Sequence, residues 1–276
     1  MLPTTNPLRG DDHLHVRILQ AEAIDIGPWW RAREVRSAYW RLYIHDRDGA
    51  WLATGTGRYL LAGGRAHFVP AWVRFDCHCS ETVRHLYVHF DPIGLPGAVV
   101  RTMFPKPFAV PLDTHQLETA RRLEDQLRLR PLARPAQLCR VKALLYECLA
   151  PAFDRLPEAQ AARCLGLIEG GNAMVPALRH IEDHLPEPLP NALLARLCGL
   201  AEDTFIRAFR RQIGQSPGAY VRERRIAQAA QRLQAGDEPV EDIARAAGFA
   251  NRFHFTRVFT ARMGCPPVRY RSGGRA

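Results

Sequence analysis

The sequence predicts an α+β protein of two domains, with a β-rich N-terminal domain and an all-helical C-terminal domain. The chain has 276 residues, of which 47% are hydrophobic and 24% charged, and this is typical of a globular protein longer than one average domain. Short runs of alternating residues occupy the first half, and one helical pattern occurs twice in the last third. We place the limits at residues 1–112, 113–172 and 173–276.

The N-terminal segment predicts a β barrel or sandwich. In the stretch 73–79, apolar residues alternate with Arg74, Asp76 and His78, as in a strand that buries one face. Gly-rich turns interrupt such runs at intervals of roughly ten residues. Five amphipathic or aromatic residues are candidates for an effector pocket, although each also suits the core or rim of a barrel. These candidates are Tyr39, His45, Trp51, His67 and Trp72.

No metal, cofactor or catalytic site is predicted in this segment. The only His-x-His pair in the sequence, His13 and His15, precedes the predicted strands, and the later histidines are single. We expect His85 and His89 to share a face only on a helix, whereas the residues around them are typical of a strand. The sequence therefore does not indicate an enzyme.

Cysteine usage and hydropathy indicate the compartment. Seven cysteines occur at scattered positions without a CxxC pair, which is not typical of a disulfide framework or a zinc ribbon. No apolar run reaches the roughly 18 to 20 residues of a membrane span. The N-terminus also lacks the basic and apolar regions of a signal peptide. These features predict a cytoplasmic protein with reduced thiols and no membrane partner.

Residues 113–172 predict helices. The stretches THQLETARRLEDQLRLR and RPAQLCRVKALLYECLAPAF carry apolar residues at helical spacing. Two interpretations stay open for this linking segment: the helices join two subunits into a dimer, or they cover the β domain of their own chain.

The C-terminal third contains one pattern twice, which indicates a duplicated unit. Two copies are too few for a solenoid, which needs about three or more repeats. Each copy predicts a short helix, a Gly-containing turn and a second helix with aromatic residues at i and i+4, which is a helix-turn-helix. Phe205, Arg207, Phe209, Gly214, Pro217 and Tyr220 of the first copy correspond to Phe255, Arg257, Phe259, Gly264, Pro267 and Tyr270 of the second.

A long helix that begins at Ser216 and Pro217 joins the two copies. Its length, about 27 Å at 1.5 Å per residue, is near the roughly 34 Å turn of B-DNA. Two such units could therefore enter successive segments of the major groove on one face of a duplex.

The faces opposite the aromatic residues carry the predicted DNA contacts. Residues 190–276 hold 15 Arg and 7 acidic residues, and concentrated positive charge is typical of a protein that binds a polyanion. An α-helix fits the major groove, Arg binds guanine, and Thr or apolar side chains suit the thymine methyl group. The predicted contacts are Asp203, Ile206, Arg207 and Arg210 in the first copy, and Arg252, Phe253, Thr256 and Arg257 in the second.

The second copy, DIARAAGFANRFHFTRVFTARMGCPPVRYR, resembles the signature of the AraC/XylS family of bacterial transcription regulators. The resemblance covers about residues 175 to 272 and implies a seven-helix DNA-binding domain with two helix-turn-helix motifs. It also implies a cupin-like effector domain in the β-rich segment, homodimers, promoter DNA as the partner, and RNA polymerase as a further partner of an activator. The first copy departs from the family where Ala201 replaces the frequent Ser at the start of the recognition helix.

Two functional hypotheses follow. The first is a sequence-specific transcription regulator, activator or repressor, whose N-terminal domain senses a small effector or mediates dimerisation. The alternative is a cupin-type small-molecule enzyme or sensor with an accessory basic domain. Selective binding to genomic DNA would distinguish them.

Overall fold

The computed structural model describes residues 14–93, 95–130, 132, 134–168 and 173–273, so the predicted His13 lies outside the described residues. Nine strands form two antiparallel sheets, with the order β1-β8-β3-β6-β9 in one and β2-β7-β4-β5 in the other. The strands are β1 (His15–Ile26), β2 (Ala32–Val35), β3 (Trp40–His45), β4 (Ala50–Thr54), β5 (Gly57–Leu61), β6 (Arg65–Val69), β7 (Phe75–Cys79), β8 (Val83–Ile93) and β9 (Phe108–Pro111). We call this part the two-sheet domain.

The prediction of a β-rich domain, a barrel or sandwich, is confirmed, and its strands form two sheets that are not closed into one barrel. Within the described residues, strand pairing runs inside each sheet and joins no edge strand of one sheet to the other, so the sheets form two layers. The alternation expected in β7 is present: Cys77 and Cys79 are buried between the layers, and Asp76 and His78 are less buried. Apolar residues such as Leu52, Leu61 and Val69 fill the same space.

Four helices connect the two-sheet domain with the C-terminal part: α1 (Gly97–Met103), α2 (Thr114–Leu129), α3 (Pro135–Asp154) and α4 (Glu158–Ile168). A capping box starts α2, because the Asp113 carboxylate accepts a hydrogen bond from the Gln116 amide at 2.8 Å. The buried faces of α2 and α3 pack against β1 and extend the core outside the five-stranded sheet. This packing agrees with helices that cover their own domain, and dimerisation stays a prediction.

Seven helices form the C-terminal domain: α5 (Val175–Asp183), α6 (Asn191–Leu197), α7 (Glu202–Ile213), α8 (Pro217–Ala235), α9 (Val240–Ala246), α10 (Arg252–Met263) and α11 (Pro267–Gly273). The predicted aromatic stripes are buried, since Phe205 and Phe209 of α7 and Phe255 and Phe259 of α10 are 0% exposed. The predicted helix-turn-helix pairs are thus α6 with α7 and α9 with α10. Both second helices end at a glycine in the left-handed region, with φ of 84° at Gly214 and 82° at Gly264.

One apolar cluster extends through both domains, and a second lies between the two sheets. The outer face of the five-stranded sheet, the buried sides of α2 and α3, and the interior of the C-terminal domain belong to a single cluster of buried residues. None of the described helices is both long enough and apolar enough to cross a bilayer.

Candidate functional site

The outward face of α7 carries three of the predicted DNA contacts in exposed positions. Asp203, Arg207 and Arg210 are exposed, and Ile206 is half-buried between them and the core. Because Phe205 on the same helix is fully buried, the helix is fixed with its arginines toward solvent. The structure thus brings the four predicted residues of the first copy to one side of α7.

The outward face of α10 is more open and more apolar. Arg252, Phe253 and Arg257 are exposed, Thr256 is half-buried, and Phe253 has 87% of its surface accessible. Together with Thr260 and Ala261, these four line a shallow depression along the helix. At the start of α10, the Asn251 side chain accepts a hydrogen bond from the His254 amide at 2.8 Å.

The two arginines that the repeat places in register are available for a ligand. Arg207 and Arg257 are exposed, and neither has an ion pair or a side-chain hydrogen bond with any described residue. Between the two units, the 19 residues of α8 span about 28 Å at 1.5 Å per residue. The structure therefore carries two guanidinium-bearing helices, joined by a rigid helical connection.

Three of the five predicted effector residues lie inside the two-sheet domain. Tyr39, His45 and His67 are each at most 3% exposed. His45 Nδ1 lies 3.2 Å from the Leu61 carbonyl oxygen, so it donates there, and His45 Nε2 accepts from His85 Nδ1 at 2.6 Å. Burial lowers the pKa of His45 to about 4 and holds the pKa of His85 well below its usual value. Both rings are therefore neutral at pH 7.

The other two predicted effector residues lie elsewhere. Trp51 is half-buried on the outer face of β4, where its ring stacks on His78 at 5.3 Å and Arg58 covers it at 4.0 Å. Alternation along β4 turns Trp51 away from the interior because the neighbouring Leu52 points inward. Trp72 is buried at the boundary with the C-terminal domain, where the guanidinium of Arg262 lies 4.3 Å from its ring. The five residues thus do not form one pocket.

Sequence reasoning missed the polar lining of the interior. His85, Tyr87 and His89 alternate along β8 and all face the space between the sheets, where their rings lie about 5 Å apart. The expectation that His85 and His89 share a face only on a helix is wrong, since residues i and i+4 also share a face of a strand. Arg41 and Tyr43 of β3 join them. Strand alternation was the signal that could have found this group.

A separate apolar cavity of about 420 Å³ lies on the other side of the five-stranded sheet. Trp40 and Phe90 of the sheet face Leu149 and Phe153 of α3 across it, and Cys164 of α4 completes one wall. None of the five predicted effector residues lines this cavity.

Ligands for a metal are not grouped in the described part of the chain. No three His, Cys, Asp or Glu side chains there come together as a metal site requires. All seven cysteines are free, and Cys77, Cys79, Cys148 and Cys164 are buried. Burial raises the pKa of the Cys148 thiol to about 12, so this thiol is protonated and unreactive at pH 7.

Ion pairs join the two domains beside the second unit. Glu223 of α8, 5% exposed, accepts two hydrogen bonds from Arg101 of α1 at 2.7 and 2.8 Å. Arg262 of α10 donates to the same carboxylate while it covers Trp72. The second recognition helix is thereby tied both to α8 and to the two-sheet domain.

These features define a class: a DNA-binding protein with two helix-turn-helix motifs behind a β-rich domain. Residues 194–273 match the family described as helix-turn-helix domain. The chain is 24% identical over 241 residues to the HTH-type transcriptional activator RhaS of Escherichia fergusonii, across 79% of this chain and 82% of RhaS. It is 33% identical over 91 residues to the multiple antibiotic resistance protein MarA of Salmonella typhimurium, across 33% of this chain and 72% of MarA.

The whole fold is similar to the crystal structure of ToxT from Vibrio cholerae O395, with a TM-score of 0.57 and 11% identity, across 92% of this chain and 97% of that one. The chain belongs to the AraC/XylS family and is a DNA-binding transcription regulator.

Proposed function

We propose that the outward faces of α7 and α10 read promoter DNA in two successive segments of the major groove. The observation that carries this proposal is the pair Arg207 and Arg257, which occupy equivalent positions of the two units and stay exposed and unpaired among the described residues. An exposed guanidinium on a groove-sized helix can bind O6 and N7 of guanine with two hydrogen bonds.

The chemistry of the other predicted residues on α7 and α10 suggests which part of the DNA each of them contacts. Thr256 and Phe253 suit a thymine methyl group, and Asp203 suits the N4 amino group of cytosine. Arg210 and Arg252 are assigned to phosphates, where they add salt-dependent affinity without sequence information. Ile206, half-buried against the core, suits an apolar contact with a thymine methyl group.

The rest of the chain is proposed to regulate this binding. We assign residues 1–112 to effector sensing, residues 113–172 to helices that contribute to a homodimer, and residues 173–276 to DNA binding. RhaS is named an activator, and by analogy this chain activates transcription through RNA polymerase at promoters in the cytoplasm. No catalytic step is assigned to it.

A gel-shift titration on genomic fragments tests the proposal. Wild-type protein should bind a subset of fragments with an affinity that survives competition by unrelated DNA. Arg257→Ala and Arg207→Ala should each weaken that selective binding by about 1 to 3 kcal/mol, or about 5-fold to 150-fold, and relax the preference at one base pair.

The charge-matched control is Arg122→Ala. Arg122 is an exposed arginine of α2 whose one ion pair among the described residues is with Glu118 one turn away, so its loss should leave the selective complex unchanged. If the Arg257 and Arg207 variants bind like wild type, the assigned groove contacts are wrong. If wild-type protein binds every fragment equally, the regulator has no operator in the tested DNA and the proposal fails.

A further inference from the structure

The apolar cavity on the outer side of the five-stranded sheet has a volume typical of a ligand site. Its volume is about 420 Å³, and small-molecule pockets commonly measure roughly 300 to 1,000 Å³. A cavity of about 150 Å³ with aliphatic and aromatic walls already binds benzene. Side chains packed at the ordinary density of a protein interior leave few spaces of this size, so the cavity needs an explanation of its own.

The floor of the cavity is buried and apolar. Val16, Trp40 and Phe90 of the sheet are each at most 4% exposed, and Val100 of α1 is buried beside them. The Trp40 and Phe90 rings pack on each other with centroids 5.9 Å apart. The Val16 amide donates a hydrogen bond to the Tyr146 hydroxyl at 3.0 Å, so this backbone group needs no further partner. The floor therefore suits the carbon body of a ligand.

The mouth of the cavity carries one charged group. Ala161 and Leu165 of α4 and Asp154 of α3 line the cavity and are exposed. Among the described residues, Asp154 is the one charged residue in the wall, and it has no ion pair or side-chain hydrogen bond. Tyr146, Ala150 and Asp154 follow one another at a spacing of four residues, so they share the face of α3 that lines the cavity.

The charge at the mouth selects the sign of the ligand. Asp154 is the last residue of α3, where the helix dipole is also negative. An anion at this place would meet a carboxylate and a helix C-terminus, and no basic side chain of the described wall offsets them. An ammonium group is stabilised by both. Because Asp154 is exposed to water, its charge should set a preference, while burial of the carbon body provides most of the affinity.

We propose that this cavity binds a small hydrophobic amine, with its carbon body against Trp40 and Phe90 and its ammonium group beside the Asp154 carboxylate. The site lies on the outer face of the five-stranded sheet, under α3 and α4. None of the described residues in its wall belongs to the C-terminal helices α5 to α11. The proposal deepens the proposed function, on which its regulatory part rests, because it gives the effector a chemical class and a place.

One wall of the cavity is connected with the DNA-binding domain. Val100 of α1 lines the cavity, and the next residue, Arg101, donates two hydrogen bonds to Glu223 of α8 at 2.7 and 2.8 Å. A ligand that packs against α1 therefore acts on the helix that holds this ion pair. By linkage, an amine that changes the affinity for DNA must have its own affinity changed by DNA to the same factor.

Titration calorimetry of the full-length protein tests the site with three compounds that share one carbon body. The probes are 3-phenylpropylamine, 3-phenylpropan-1-ol and 3-phenylpropanoate, whose end groups are positive, neutral and negative at neutral pH. We expect the amine to bind about 2-fold to 5-fold more tightly than the alcohol, as one exposed ion pair allows, and the carboxylate to bind more weakly than the alcohol. The proposal is wrong if no probe binds, if the alcohol equals the amine, or if the carboxylate binds most tightly.

Asp154→Asn tests the charged group. This variant should lose the preference for the amine over the alcohol and should keep the affinity for the alcohol within about two-fold of wild type. The matched control is Glu147→Gln, which neutralises an exposed carboxylate of α3 outside the cavity wall and should keep the preference. Equal loss of affinity for both probes in Asp154→Asn would mean that Asp154 shapes the cavity and does not pair with the ligand.

Ala161→Phe tests the cavity itself. The added ring takes up space at the mouth that the ligand needs, so affinity for the amine should fall by about ten-fold or more. Ala162→Phe, the matched control, changes the next residue of α4, which is exposed and outside the wall, and should bind as wild type does. Unchanged amine binding in Ala161→Phe would place the ligand elsewhere. If no probe binds wild-type protein and light scattering shows a lower molar mass for Ala161→Phe, a second copy of the chain covers the cavity and the amine site is wrong.

The gel shift separates failure of this site from failure of the proposed function. Addition of 3-phenylpropylamine should change the affinity of wild-type protein for a selected DNA fragment and should leave that of Ala161→Phe unchanged. Amine binding without a change in DNA affinity would overturn the role of the amine as effector. Selective DNA binding without amine binding removes the site and leaves the regulator intact, whereas absence of selective DNA binding removes the proposed function whatever the calorimetry shows.

Discussion

Two phenylalanines on α10 show that position on a helix determines whether a side chain is buried or exposed. Phe255 is fully buried in the apolar core, and Phe253, two residues earlier, has 87% of its surface exposed. Two residues along a helix correspond to about 200° of rotation, so the first side chain faces the domain and the second faces solvent. The same residue type therefore stabilises the fold at one position and is available for binding at the other.

Substitution of these two residues should separate stability from DNA binding. Phe255→Ala removes a buried aromatic ring and should lower the free energy of unfolding by about 3 to 5 kcal/mol. Phe253→Ala, the matched control, should change it by less than about 0.5 kcal/mol and should weaken selective DNA binding instead. Urea denaturation followed by circular dichroism, combined with the gel shift, measures both effects. Equal destabilisation by the two variants would contradict the orientation of α10.

At the scale of the element, α7 and α10 have the same length and the same left-handed glycine at the end, but they start differently. Asn251 caps α10 with its side chain, whereas Ala201, which has the extended backbone of an N-cap residue with ψ of 147°, has no side chain that could cap α7. Glu202 and Asp203 in the first turn partly compensate through the helix dipole. The first recognition helix therefore lacks the side-chain cap that the second one has.

Supplying the missing cap should stabilise the first unit. Ala201→Ser places a hydroxyl that can accept from the amide of Thr204, and we expect a gain of about 1 kcal/mol. Amide hydrogen exchange at Thr204 and the urea midpoint of the protein both measure the gain. Asn251→Ala on α10 is the reciprocal control and should lower the midpoint by a similar amount. Unchanged exchange at Thr204 in Ala201→Ser would mean that α7 begins elsewhere.

The recognition helices were predictable because their signals are local. The spacing of Phe255 and Phe259, the cap at Asn251 and the glycine at 264 each lie within one or two turns of the helix that they define. The outward residues followed from the same rotation of 100° per residue. Exposure of Arg207 and Arg257 was therefore predictable from the sequence, although the bases that they contact are not.

The interior of the two-sheet domain was not predictable in the same way. Arg41 and His89 lie far apart in the sequence and meet only because β3 pairs with β8. Strand register and domain packing depend on non-local contacts, which a local pattern does not contain. For this reason Trp51 was grouped with residues that it does not contact, and the polar lining of β8 was missed.

At the scale of the whole molecule, the domains share one apolar core and a few buried charges. Glu223 holds Arg101 of α1, the first connecting helix, and Arg262 of the second recognition helix with one carboxylate. Asp91 and Arg224 add a second connection across the same boundary. Because these contacts are buried beside continuous apolar packing, we expect both domains of the wild-type protein to unfold in one cooperative transition.

Neutralising the shared carboxylate should uncouple the domains. Glu223→Gln leaves two guanidinium groups facing one neutral amide, and loss of a buried pair of this kind costs about 3 kcal/mol, at the low end of its range because both arginines keep partial contact with water. Differential scanning calorimetry should show a lower midpoint and a transition that separates into two. The control is Glu241→Gln on α9, whose carboxylate lies exposed 3.9 Å from Arg245 and whose loss should cost less than about 1 kcal/mol.

The same variant should alter DNA binding, because Arg262 lies on the helix that carries Arg257. With Glu223 neutral, α10 keeps its own fold through Phe255 and Phe259, but it loses its ionic connection to the two-sheet domain. Release of that connection should change the affinity for a selected DNA fragment in Glu223→Gln and leave it unchanged in Glu241→Gln. A Glu223→Gln protein that melts in one wild-type transition and binds DNA as wild type does would show that the apolar core alone couples the domains.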